Sequence, residues 1–148
     1  MRESDRWLIL PRLMAGSVFL WEGVLKFVYA NQGVGRFTKL GFPFPDVTAT
    51  GVALFEIGGG LLLLAGLFTR IVALLFVLEM IVAILSTKIT LFFGTSPLPL
   101  PPSPPKIGIW AVLHEIRSDW AQLWTCLFLF LSGPGIWSLD ARQRARSR

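Results

Sequence analysis

FEIGGGLLLLAGLFTRIVALLFVLEM, residues 55–80, is the stretch whose reading decides the fold. Apart from Glu56, Arg70 and Glu79 it carries no charge, and it is dense in glycine and leucine. A membrane-crossing helix needs roughly 20 apolar residues. This stretch bridges two such runs, residues 47–69 and 71–94, which meet at Thr69-Arg70. Adjoining spans with so little between them must turn back on each other as a tight antiparallel hairpin. Two further apolar runs flank the hairpin, at residues 8–28 and 120–139. The sequence therefore predicts an all-α membrane protein built as a bundle of four transmembrane helices.

Composition leads the same way. Of 148 residues, 53% are apolar and 16% charged, against about 25% charged in a soluble domain. Such a chain cannot coat a globule in water, and it is far too apolar to stay disordered. Its length suits one integral membrane domain over residues 1–148. Pro11, Arg12, Glu22 and Lys26 interrupt the first run, and charges stand where a cleavage site would need small residues, so this span is expected to be retained.

The connections read differently from one another. Residues 29–46 predict a short helix on the membrane surface up to Leu40, then an extended GFPFP return. TSPLPLPPSPP, residues 95–105, has six prolines, which forbid a helix and favour stiff polyproline II. In residues 107–118 and just beyond, Trp110, Leu113, Arg117, Trp120 and Trp124 recur at helical spacing. This predicts a short interfacial helix before the fourth span. Residues 140–148 form a basic tail. Trp7, Trp110, Trp120 and Trp137 fall at predicted boundaries, where tryptophan anchors helices at headgroup level.

Four spans put both termini and Arg70 on one side. Arg142, Arg144, Arg146 and Arg148 crowd that side and place it in the cytoplasm. The net charge of +5 gathers at the ends of apolar runs, which suits lipid headgroups and not nucleic acid. Cys126 is the sole cysteine, so no internal disulfide or CxxC pair forms. His114 is the sole histidine, and no ligand spacing suggests a metal. The chain is expected to bind no metal or redox cofactor by itself.

The charges inside the runs carry what chemistry remains. An ionised group at the bilayer centre costs on the order of 3 kcal/mol, so each should face protein or water. Glu22 and Lys26 stand at i and i+4 in the favourable order for an ion pair near the outer interface. Glu56 lies about 13 Å inside its span, on a face of small residues. Gly58, Gly59, Gly60 and Gly66 are the candidate helix-packing positions. Glu56 reads either as a protonated carboxyl bonding across helices or as a proton-handling group beside a quinone. Glu79 is free to meet Glu56, Arg12 or another subunit.

RLMAGSVFLWEGVLKF (residues 12–27), FEIGGGLLLLAGLFTRIVAL (55–74), HEIRSDWAQL (114–123) and SGPGIWSLDARQR (132–144) together resemble the DoxX-like membrane proteins. The proline-rich loop and Glu79 depart from that pattern. The resemblance implies a four-helix protein of the bacterial or archaeal inner membrane, in a family that includes small subunits of thiosulfate:quinone oxidoreductases. The expected function is an accessory or scaffolding subunit of a membrane-bound electron-transfer complex, with the bilayer and other subunits as partners. Two alternatives stand beside it: a quinone-interacting subunit, with quinone or lipids at the bundle surface, and a small homo-oligomeric transporter or channel.

Overall fold

The computed structural model describes residues 3–147, and every regular element among them is helical. A 3₁₀ turn over Glu3–Leu8 leads into α1 (Ile9–Val28), then α2 (Val34–Lys39) and α3 (Pro45–Ala65). After these come α4 (Thr69–Phe93), α5 (Ile109–Glu115), α6 (Arg117–Ser132) and α7 (Leu139–Arg146). Within α4, residues Ile84–Lys88 form a π-helical turn. Among the described residues, three helices are long and apolar enough to cross a membrane: Asp5–Val28, α3 and α4.

The fourth apolar run does not form one helix over residues 120–139. α6 starts at Arg117 and stops at Ser132, because Gly133 adopts φ +89° and Pro134 follows it. The stretch 107–118 expected to lie at the interface holds the short helix α5, Ile109–Glu115, joined to α6 through Ile116. The hairpin turn also lies earlier than the sequence suggested. Gly66 ends α3 in the left-handed region, φ +69°, and α4 already begins at Thr69. Most of the basic tail forms α7, whose first turn is capped by Ser138: its Oγ accepts from the Ala141 N–H at 3.1 Å, while Arg148 lies outside the described residues.

α1 packs chiefly on α3, and α4 on α6. The α1–α3 seam is a close backbone contact. A Cβ added at Gly60 would sit 2.7 Å from the carbonyl oxygen of Gly16. Successive helical residues point about 100° apart, so the three glycines of residues 58–60 cannot share a neighbour. Gly59 faces the Phe76 ring, and Gly58 faces open space. Gly58 is therefore no packing residue, unlike Gly59 and Gly60. Between the two helix pairs, Phe19 stacks on Phe76 with centroids 3.6 Å apart, and Phe55 tilts against Phe76 at 4.8 Å. Large apolar side chains such as Leu54, Leu61, Ile71, Leu78 and Leu85 point outward, where a lipid solvent would meet them. Trp7, Trp110, Trp120 and Trp137 are all at least half exposed.

Thermal unfolding in detergent should separate the two kinds of glycine. Gly60→Ala should destabilise by about 1–3 kcal/mol through overpacking of the seam. Gly58→Ala should be neutral or stabilising by up to about 1 kcal/mol through helix propensity. Equal effects at the two positions would contradict the close α1–α3 contact.

Candidate functional site

The buried charges of the chain divide between two ends of the bundle. At the end that holds the termini, Arg12 is 2% exposed. Its Nε donates to the Leu63 carbonyl at 2.9 Å and its Nη2 to Leu64 at 2.8 Å. Its Nη1 donates to Pro134 at 2.9 Å and Trp137 at 2.8 Å. These carbonyls belong to the last turn of α3 and to the irregular turn after α6; Leu63 also accepts from the Gly66 N–H at 3.1 Å, and the end of a helix leaves such carbonyls short of partners. Arg12 thus bonds backbone, and Glu79 is not its partner. Asp140 completes the clasp from the other direction. Its carboxylate accepts from the Phe68 N–H at 2.9 Å and the Thr69 N–H at 3.0 Å, and its own N–H donates to Gly66 at 2.9 Å. A negative group at the start of α4 and a positive one at the end of α3 both suit the helix dipoles.

At the other end, a cavity of about 340 Å³ opens between the helix pairs. α1 brings Glu22 and Lys26 to it, α3 brings Glu56, and α4 brings Glu79, Thr87 and Lys88. Arg36 of α2 and Asp119 and Gln122 of α6 complete its polar wall. Lys26 Nζ lies 2.6 Å from Glu56 Oε2. It reaches Glu22 only at the backbone carbonyl, at 3.5 Å. The ammonium thus turns from the local i, i+4 partner to the deeper one. Coulomb attraction is stronger where the carboxylate is 4% exposed and the surroundings are dry. The Glu56 and Glu79 carboxyls face the same cavity.

A second set of charges stands at the cavity mouth. Lys88 Nζ lies 3.9 Å from Glu115 Oε2 and 3.9 Å from Asp119 Oδ2. Burial pushes the Arg36 guanidinium below its usual value, with Asp119 and Glu22 opposing the shift. Glu79 Oε2, Asp119 Oδ2 and Gln122 Oε1 are buried without a hydrogen-bond partner. Buried polar atoms are normally satisfied, so these three are exceptions in the wall. The π-helical turn places Ser86, Thr87 and Lys88 on the lining, and such turns recur at functional sites.

Arg36, Lys88, Asp119 and Gln122 were not singled out by the sequence reading. Asp119 and Gln122 stand at i and i+3, which puts them on one helix face, but nothing local says that the face is internal. His114 lies outside the cavity, and Cys126 is buried in the apolar core. Among the described residues no cluster of three His, Cys, Asp or Glu is placed to hold a metal ion.

Residues 7–89 match the pattern of the DoxX family. This chain belongs to the DoxX family. It is similar to the Mycobacterium tuberculosis protein named "Uncharacterized membrane protein Rv3486", at 38% identity over 98% of this chain and 86% of the relative. It is also similar to the Bacillus subtilis protein named "Putative oxidoreductase CatD", at 36% identity over 89% of this chain and 83% of that protein. No solved structure matches it. In DoxX terms the matched segment holds Arg12, Glu22, Lys26, Glu56, Glu79 and Lys88. Asp119, Gln122 and Asp140 come from the chain beyond it.

The Lys26–Glu56 contact makes a definite stability prediction. Lys26→Met leaves a buried carboxylate without its cation and should cost about 3–5 kcal/mol. The double change Lys26→Met with Glu56→Gln should recover most of that loss. Denaturant unfolding in mixed micelles measures both, and a Lys26→Met protein as stable as the parent would refute the pair.

Proposed function

We propose that this DoxX protein is an integral membrane subunit of a membrane-bound electron-transfer complex and that its cavity receives the headgroup of a quinone. One observation carries the reading: a charged, partly unsatisfied cavity with Lys26, Glu56 and Glu79 together inside an otherwise apolar bundle. A purely scaffolding subunit has no need of it, because carboxyls in a membrane interior are costly to insert. About 340 Å³ falls within the range of small-molecule sites. The wall combines apolar Val18, Phe19, Phe42, Val52 and Met80 with the polar groups, as an aromatic ring with two carbonyls requires. The printed name of the Bacillus relative supports a redox setting.

Reduction of a quinone to a quinol takes up two electrons and two protons. The electrons come from a redox centre on a partner subunit. This chain contributes the rest. Lys26 and Gln122 carry N–H donors for the ring oxygens, and Glu56 and Glu79 deliver or accept the protons. The same reading makes α6, extended by α5, the fourth crossing of a bacterial inner membrane. The proline-rich loop and the cavity mouth then face outside, and both termini face the cytoplasm beside Arg70, Arg142, Arg144 and Arg146.

Cysteines placed at Ser103 and Ser147 should accordingly react with impermeant reagents from opposite sides of the membrane. Reaction from the same side would sink the four-span topology. Lys26 keeps the Glu22 and Glu79 carboxyls beside it in the cavity, so Glu56→Gln should leave the bundle and its complex assembled while slowing quinone-dependent turnover by about 100-fold or more. Full turnover in that variant would return the chain to a scaffolding role.

A further inference from the structure

We infer that Asp119 is a proton relay connecting the Glu56–Glu79 pair to the aqueous surface at the α2 end of the bundle. The inference rests on Glu56 and Glu79 being proton-handling groups, and it adds the route by which their protons travel.

The polar lining gives them a direction. Toward the termini, the stacked Phe19 and Phe76 and the apolar core beneath them close the bundle. Toward α2, the cavity runs past Glu22 to Ser118 and Asp119. It shares Gln32, Arg36, Thr87 and Lys88 with a second cavity of about 280 Å³. That second cavity is lined by exposed Asn31 and Lys39, by Glu115 and by the proline-rich segment from Leu98 to Pro102. Lys88 lines both cavities and stands 3.9 Å from Asp119, which lines the inner one, so Asp119 is next to the point where the first opens toward the second.

Its surroundings suit a group that gains and loses a proton. The charged groups facing it are Glu22 from α1, Arg36 from α2, Lys88 from α4 and Glu115 from α5. Lys88 stands 3.9 Å from both Glu115 and Asp119, too far for a hydrogen bond to either. The ammonium is therefore shared. When Asp119 takes a proton from the outer cavity, Lys88 can lean to Glu115 and keep its charge compensated. The proton then passes along the cavity, past Glu22, which faces both Asp119 and Glu56, to a carboxylate of the inner pair, and Asp119 returns to its ionised form beside Lys88. Gln122 supplies the independent sign that the passage holds a hydrogen-bonding guest. It is 5% exposed, it lines the cavity about one turn beyond Asp119, and its Oε1 has no hydrogen-bond partner.

The test uses the full chain in lipid nanodiscs and reads hydrogen–deuterium exchange of the protonated carboxyl band by infrared spectroscopy. The band is assigned with Glu56→Gln and Glu79→Gln. Asp119→Asn should leave the band in place and slow its exchange by about 10-fold or more, and Asp119→Glu should restore the rate. A band that exchanges unchanged in folded Asp119→Asn protein would overturn the relay alone. Absence of any band assignable to Glu56 or Glu79 would overturn the relay together with the proton-handling reading beneath it. Should Asp119→Asn fail to fold, Asn31→Cys modified with a bulky thiol reagent blocks the outer cavity instead. Slowed exchange then supports the route, and unchanged exchange refutes it.

Discussion

A bilayer offers no water to backbone groups that a helix leaves unpaired, and this chain answers that constraint with one guanidinium. Arg12 reaches four carbonyls from two segments that are far apart in sequence, the end of α3 and the turn after α6. Only arginine has enough donors, in a fixed planar fork, to satisfy them together. Because the bonds join α1, α3 and the C-terminal turn, these elements hold one relative position. Asp140 ties the start of α4 to the same turn. The α3–α4 hairpin is thereby held by residues from both ends of the chain.

This clasp gives physical content to the family resemblance. Arg12 opens the first motif segment, Gly66 and Thr69 lie in the second, and Pro134, Trp137 and Asp140 lie in the last. The three meet at the Arg12–Asp140 clasp, where a Cβ on Gly66 would strike the Arg12 guanidinium at 2.7 Å. Much of what marks the family in sequence is therefore a device for closing one end of a bundle. The charged cavity lies at the other end, lined by residues drawn from α1, α2, α3, α4 and α6.

The two ends depend on each other. With the terminal end clasped and the Phe19–Phe76 stack filling the middle, the polar residues collect in one cavity and not along lipid-facing surfaces. Glu22, Glu56, Glu79 and Asp119 face Lys26, Arg36 and Lys88 there, a near balance of charge. The dry surroundings strengthen each attraction and make each unsatisfied atom costly.

The sequence alone determined the class of protein, since long apolar runs and a shortage of charge leave only the membrane as solvent. It also marked the hairpin, the short helices α2 and α5 and the buried location of Glu56, because these follow from spacing along one chain. It misjudged the end of α6, where hydropathy continues through Gly133 but backbone geometry does not. The pairing of charges belonged to the tertiary structure. Lys26 has a local partner one turn away in Glu22, yet it bonds Glu56 because another helix brings a deeper carboxylate within 2.6 Å. Arg12, Asp119 and Gln122 likewise have no local signature. Their roles depend on which helix lies opposite, and periodicity within a single helix carries no information about that.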